Sequence, residues 1–170
     1  IYLRGGAIGS DDGGWSLTKF GRDGVRRTVN LESQLYGHLA LSPNESEMAL
    51  TIYENGNTSD VWLWDLNRDI LGRRTFGGTA SRPVWSSDGR HIIYRVNDSV
   101  EPKNSGLWTI QANGSSQPMQ IFETDFAWPR TVSPSNELVF TLTGEDGDQA
   151  YVLDLDRSEL EPREEISGQA

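Results

Sequence analysis

The stretch Arg82-Pro83-Val84-Trp85-Ser86-Ser87-Asp88-Gly89-Arg90-His91-Ile92-Ile93-Tyr94 decides the fold of this 170-residue chain. Its two ends, residues 82–85 and 91–94, are rich in β-branched and aromatic strand formers. Between them, Ser86–Gly89 offers a hydroxyl, a carboxylate and a glycine that tolerates a positive φ. The stretch therefore predicts a β-hairpin, and a turn this explicit fixes the register of its two strands.

Two further stretches repeat this hairpin at a nearly constant spacing. The serine that opens the turn recurs as Ser42, 44 residues before Ser86, and as Ser133, 47 residues after it. A later strand recurs as well, with an aromatic residue at the third place of each copy, in residues 60–66, 106–112 and 149–155. Two elements that drift together at one period indicate a structural repeat.

The turn itself varies between the copies. Glu45 and Asn136 stand where the first hairpin has Gly89. Asparagine tolerates the left-handed backbone conformation, whereas glutamate tolerates it poorly. The sequence therefore predicts that the Glu45 turn is shaped differently from the other two.

The serine-opened turn, its hairpin and the later strand resemble the WD-repeat-like β-propeller blades of the TolB type. Such blades are found also in propellers attached to bacterial serine/threonine kinases and to prolyl-oligopeptidase-like hydrolases. The resemblance covers residues 1–157 and implies an all-β β-propeller, with about three-and-a-half to four four-stranded blades in this chain, as a half-propeller or propeller fragment. It implies fourteen or fifteen strands with helix nearly absent, and a bacterial protein of the periplasm or another extracytoplasmic compartment.

The repeat also divides the chain into blades. Residues 1–30 form a partial blade that lacks its innermost strand, and complete blades follow in residues 36–76, 80–122 and 126–157. Residues 158–170 are charged and lose the alternation of a strand. We expect an acidic C-terminal tail there, with an acidic docking segment as the alternative.

Composition excludes several classes of function. The chain has 15 Lys plus Arg against 25 Asp plus Glu, a net charge of −10, so nucleic acid and anionic lipid are disfavoured as partners. No apolar run approaches the roughly 20 residues that cross a bilayer, which predicts no membrane insertion. The chain has no cysteine, and it begins at Ile1 rather than methionine, as a processed or excised piece would.

Sites for chemistry are not recognisable in the sequence. The two histidines, His38 and His91, lie on or beside predicted strands, and no Gly-x-Ser-x-Gly motif is present. The carboxylates of residues 145–148 lack the register of an EF-hand, and the glycine-rich residues 5–14 lack the spacing of a phosphate-binding loop. We expect an exposed acidic hairpin and a flexible loop, with no metal, no cofactor and no catalytic residues.

One set of polar residues has no packing role in the repeat. In a propeller, the start of each innermost strand lines one mouth of the central channel. His38, Arg82 and Arg130 fall at or next to that point in their repeats. They are the predicted binding face.

The large aromatic residues fall mostly at repeated blade positions. We therefore interpret them as packing between blades rather than as a sugar-binding set. They are Trp62, Trp64, Trp85, Trp108, Trp128 and Tyr151.

Closure of the ring sets the expected assembly. Propellers have about 4–8 blades, so an open arc of this length would expose the outward faces of its first and last blades. We expect Leu17, Phe20, Phe140 and Tyr151 to lie in part on those faces. The sequence therefore predicts a homodimer that closes one larger propeller, with a truncated piece of a longer propeller or a tight ring of four as alternatives.

The function that these observations favour is a non-catalytic binding module. Its loop face would present a surface to a protein or a small ligand. The alternative is the propeller domain of a larger enzyme, which gates a prolyl-oligopeptidase-like serine hydrolase or follows a kinase domain. A third reading, direct hydrolysis by this chain alone, has no catalytic set to support it.

Overall fold

The computed structural model describes residues 2–3, 17–21, 23–29, 31, 34–54, 58–145, 147–157 and 163–164. Within these ranges the chain forms fifteen β-strands and one short 3₁₀ helix, Pro102–Asn104. The predicted all-β class is confirmed. The glycine-rich residues 5–14 lie outside the described residues.

The strands form four antiparallel sheets, each built from strands in chain order. The three strands of the first sheet are β1 (Tyr2–Leu3), β2 (Thr18–Phe20) and β3 (Arg26–Thr28). Those of the second are β4 (Leu35–Leu41), β5 (Glu47–Glu54), β6 (Thr58–Asp65) and β7 (Ile70–Arg73). Those of the third are β8 (Ala80–Trp85), β9 (His91–Val96), β10 (Gly106–Gln111) and β11 (Met119–Glu123). Those of the fourth are β12 (Ala127–Val132), β13 (Glu137–Gly144), β14 (Gly147–Asp154) and β15 (Arg163–Glu164).

Alternation along the strands lets the two central sheets bury both faces. In β5, Met48, Leu50 and Ile52 pack toward the first sheet, whereas Ala49 packs toward the third. In β9, Ile92 and Tyr94 pack toward the second sheet and Ile93 toward the fourth. Three core clusters result, each between two successive sheets. In the described part of the chain, no such cluster joins the first sheet to the fourth.

The three serine-opened turns have the same shape. Glu45, Gly89 and Asn136 have φ angles of 58°, 68° and 60°. In each turn the backbone N–H of this residue donates to the carbonyl oxygen of the opening serine, at 2.9–3.0 Å. The prediction that the Glu45 turn differs is therefore wrong: register and hairpin pairing override the reluctance of glutamate to adopt this conformation.

The expectation that Leu17 and Phe140 lie on outward faces is wrong. Leu17 and Phe140 are 2% and 0% exposed, because they lie in the clusters between the sheets and not on outward faces. Tyr151 stacks on Phe140, with the two ring centroids 5.7 Å apart. Within the predicted tail, Arg163–Glu164 pairs with β14 as the outermost strand of the fourth sheet. That sheet thus extends beyond residue 157.

Candidate functional site

The three predicted binding residues occupy equivalent irregularities of three successive sheets. The pairing of β4 with β5 shifts between Tyr36 and Leu39, around His38. The pairing of β8 with β9 shifts between Ser81 and Val84, and that of β12 with β13 between Pro129 and Thr131. His38, Arg82 and Arg130 are therefore all β-bulge residues. They lie inside their strands, not at the starts as the sequence suggested.

The bulges form where a sheet edge permits them. β4, β8 and β12 are the first strands of their sheets, and β8 contacts both of the others. Edge strands tolerate bulges and proline, and Pro83 and Pro129 adjoin two of these bulges. A bulge re-aims the side chain of its extra residue. The same device thus presents one polar residue from each sheet.

The local packing holds the first two bulges together. A Cβ atom at Gly37 would lie 2.6 Å from Cε2 of Tyr53, so a larger residue at this position would displace the Tyr53 ring. Thr51, which is fully buried, accepts a 3.1 Å hydrogen bond at Oγ1 from the backbone N–H of Arg82. Arg82 itself has a φ of 55°, a conformation that costs a non-glycine residue about 1–3 kcal/mol.

Two residues that the sequence analysis did not assign to the site complete it. The guanidinium carbons of Arg82 and Arg95 lie 4.5 and 4.2 Å from the ring centroid of Trp128. Trp128, in the fourth sheet, thus contacts two cations of the third sheet, so it packs between blades as predicted, but against charged groups. By contrast, Trp64 and Trp85 do belong to the clusters between sheets. In the sequence, Arg95 could have been noticed as the one charged residue in the otherwise largely apolar strand 91–96.

We call His38, Arg82, Arg95 and Arg130 the cationic cluster. Arg130 is exposed and donates from Nε and Nη2 to Oγ1 of Thr141, at 3.3 and 3.0 Å. Arg95 is 9% exposed and donates from Nη2 to the backbone carbonyl oxygen of Asp125, at 3.1 Å. The cluster therefore combines an exposed arginine, Arg130, with one that is nearly buried, Arg95.

The cations of the cluster perturb one another. Partial burial lowers the pKa of His38, and the charges of Arg82 and Arg130 lower it further. His38 keeps access to solvent, yet the surrounding protein removes part of its hydration. Burial also lowers the pKa of Arg82, with Arg130 as the next cause, and that of Arg95, with Arg82 as the next cause. An anion near these groups would relieve the repulsion.

A serine, an aspartate and a histidine do meet in the β8–β9 hairpin, but not as a nucleophile and its base. Oγ of Ser86 donates to Oδ1 of Asp88 at 2.6 Å, and it accepts the backbone N–H of His91 at 2.9 Å. The imidazole of His91 takes no part in these contacts. They close the turn, and the Ser86 hydrogen bond is the first cause that lowers the pKa of Asp88.

Other features of the described residues give no further candidate. No group of three or more potential metal ligands lies close together in the part of the chain that the structure describes. Across the same residues, no helix has the length and apolar character to cross a membrane. A cavity of about 780 Å³ lies between the outer parts of the second and third sheets, lined among others by Arg74, Phe76 and Trp108.

Comparison with known proteins addresses the fold. No protein-family model and no curated protein matches the chain. Among solved structures, TolB from Acinetobacter baumannii is similar with a TM-score of 0.69 and 17% identity, over 87% of this chain and 37% of that one. The β-propeller domain of the trilobed protease from Pyrococcus furiosus has a TM-score of 0.59 and 13% identity, over 89% and 53% of the two chains.

The fold is that of TolB-type β-propeller blades. A prolyl endopeptidase is also similar, with a TM-score of 0.66 and 14% identity, over 90% of this chain and 26% of that one. At such identities the likeness concerns the fold alone. The chain spans well under two thirds of each of these three proteins. In blade terms, β4, β8 and β12 are innermost strands, so the cationic cluster belongs to the channel side of the blades.

Proposed function

We propose that this chain is a non-catalytic β-propeller binding module of the TolB type, which presents the cationic cluster to a protein or small-ligand partner. The observation that supports the proposal is the recurrence of a bulge at His38, Arg82 and Arg130 in three successive innermost strands. Packing does not require a charged residue at an exposed bulge. Binding does require polar side chains that a rigid scaffold aims at one place.

The test compares charge reversals inside and outside the cluster. Wild-type protein, Arg130→Glu and Arg68→Glu are immobilised as baits, and captured proteins are quantified by mass spectrometry. Arg130 and Arg68 are both exposed, so both variants are expected to fold, which circular dichroism checks. We expect a partner that wild type and Arg68→Glu retain and Arg130→Glu loses. Equal retention of every captured partner by Arg130→Glu would count against the proposal.

The second candidate function is the propeller domain of a larger enzyme. It draws support from the likeness to a prolyl endopeptidase, in which the matching region makes up 26% of that enzyme's chain. The discriminating observation is the reading frame that encodes these residues. A Gly-x-Ser-x-Gly elbow or a protein-kinase signature set in the same frame favours this second candidate.

The resemblance to TolB supports placing the protein outside the bacterial cytoplasm. A reporter fusion that is active only after export checks this location.

A further inference from the structure

The cationic cluster lacks the counter-charges that arginines elsewhere in the chain have. Arg157 pairs with Asp154 at 3.0 Å, and Arg73 pairs with both Glu54 and Asp60. Within the described residues, none of Arg82, Arg95 and Arg130 lies within 4.0 Å of a carboxylate oxygen. The chain has ten more acidic than basic residues, so carboxylates are not scarce. No ion pair with a described residue therefore neutralises the cluster, and Asp125 acts on Arg95 only as a more distant charge.

Arg95 shows the imbalance most directly. It is nine-tenths buried, and its Nε atom is buried without a hydrogen-bond partner among the described residues. A buried charge with an unmatched donor costs stability, and an opposite charge nearby offsets that cost. The guanidinium group stands beside Trp128 and Arg82. Arg95 thus contributes positive charge from beneath the exposed members of the cluster, where a low dielectric strengthens its field.

The backbone at Arg82 is held in a strained conformation. Arg82 has a positive φ, and its N–H is tied to Thr51 of the neighbouring blade. Strained conformations that the surrounding structure enforces are concentrated at ligand-binding sites. Arg82 repels both Arg130 and Arg95, and Trp128 offsets part of this repulsion through its contacts with Arg82 and Arg95. Such an arrangement favours a ligand that carries negative charge.

We propose that the cationic cluster binds a small ligand with two negative charges on oxygen atoms, carried either by one phosphate group or by two carboxylates. Arg82 and Arg130 donate guanidinium N–H groups to its oxygens, and the imidazole of His38 donates beside them. The planar fork of guanidinium matches two oxygens of such a group. Arg95 adds charge without reaching the ligand. This inference rests on the proposed function, and it specifies the chemical class of the ligand.

Isothermal titration calorimetry tests the proposal with inorganic phosphate and, separately, with succinate, at low ionic strength where exposed charges are least screened. The proteins are wild type, Arg82→Gln, Arg130→Gln and Arg68→Gln. We expect saturable binding of one anion per chain by wild type and Arg68→Gln. Each cluster variant should bind about tenfold more weakly or worse, the effect of losing a charge-assisted hydrogen bond. Binding of phosphate alone, of succinate alone or of both identifies the oxyanion, and each supports the proposal.

A second readout separates a specific site from general charge attraction. The imidazole of His38, followed by NMR, should shift on addition of the anion and should titrate at higher pH, because the anion stabilises imidazolium. The proposal is overturned if neither anion binds wild type, or if Arg68→Gln weakens binding as much as Arg130→Gln does. If neither anion binds while partner capture still requires Arg130, this inference fails and the proposed function stands.

Discussion

A single position in the repeated turn isolates the energetic cost of backbone conformation. Glu45, Gly89 and Asn136 share one φ value within about 10°, yet differ in side chain. Asn136 makes additional hydrogen bonds there: its Oδ1 accepts from the N–H of Ser87, and its Nδ2 donates to Oδ1 of Asp156. Glu45 is exposed. The three turns are therefore a natural comparison at one site.

The first prediction is that exchanging residue types at this position changes stability in opposite directions. Glu45→Gly should stabilise the protein by about 0.5–1 kcal/mol. Glycine adopts the left-handed conformation without strain, and the strain that is removed exceeds the entropy that glycine loses on folding. Gly89→Val should destabilise it by about 1–2 kcal/mol, because a β-branched residue is forced to positive φ. Urea denaturation measures both. Changes of the same sign would contradict the assigned turn geometry.

The second prediction concerns His38. Its pKa should lie below the ordinary value of 6.5, because burial and then the charges of Arg82 and Arg130 disfavour imidazolium. NMR titration of the imidazole measures it, and Arg130→Gln should raise it while Arg68→Gln leaves it unchanged. An unaltered His38 titration in Arg130→Gln would show that the two groups do not interact.

The sign of the linked stability follows from this shift. Because the folded-state pKa is lowered, the unfolded chain takes up the proton first as the pH falls. The contribution of neutral His38 to stability is present above pH 6.5 and is lost as the pH falls from 6.5 through the folded-state pKa.

At the scale of single elements, one buried carboxylate anchors the second sheet. Asp60 in β6 is 2% exposed, and it accepts hydrogen bonds from Nη2 of Arg73, Oγ1 of Thr75 and the N–H of Gly78. Thr75 in turn accepts the N–H of Val61 at 2.9 Å. The network fixes the outermost strand β7 and the connection to the third sheet.

The third prediction is that Asp60→Ala destabilises the protein by about 3–5 kcal/mol, because it leaves Arg73 and two further donors without their shared acceptor. Thermal and urea denaturation measure the loss. Asp65→Ala is the matched control: it removes an aspartate from the same strand, but one that caps a turn near the surface. A loss for Asp60→Ala no larger than that for Asp65→Ala would mean that the network does not anchor the sheet.

The elements were predictable to different degrees, for physical reasons. The hairpin around Gly89 follows from local residue preferences, so the strands on either side of it could be placed from the sequence. The bulges could not, because they depend on pairing with a neighbouring strand. The sequence therefore predicted His38, Arg82 and Arg130 as a set, but not how they are presented. Arg95 and Trp128 join the site only through packing between sheets.

At the scale of the whole molecule, each sheet interface has the same construction. Apolar residues from two sheets interdigitate, and single hydrogen bonds link the blades, as between Nε1 of Trp85 and the carbonyl oxygen of Ala40 at 2.9 Å. The two central sheets use both faces in this way. In the described residues the fourth sheet uses one face, with Phe140 and Leu153 toward the third sheet. Its other face carries Val139 and Val152, both half-buried, by the alternation of the strands.

The fourth prediction is a homodimer in which the outer face of the fourth sheet of each copy packs against the first sheet of the other. A twofold axis relates the two contacts and closes the ring. Light scattering at micromolar concentration should give twice the 18.9 kDa of one chain. Val152→Glu should shift the protein toward monomer, because it places a charge in the contact, whereas Val100→Glu, at a residue 87% exposed in a loop, should not. An open, monomeric arc would leave apolar surface uncovered and would bind a dye for such surface. A strictly monomeric wild type that binds no such dye would therefore contradict the dimer. That result would favour a small ring closed by one chain.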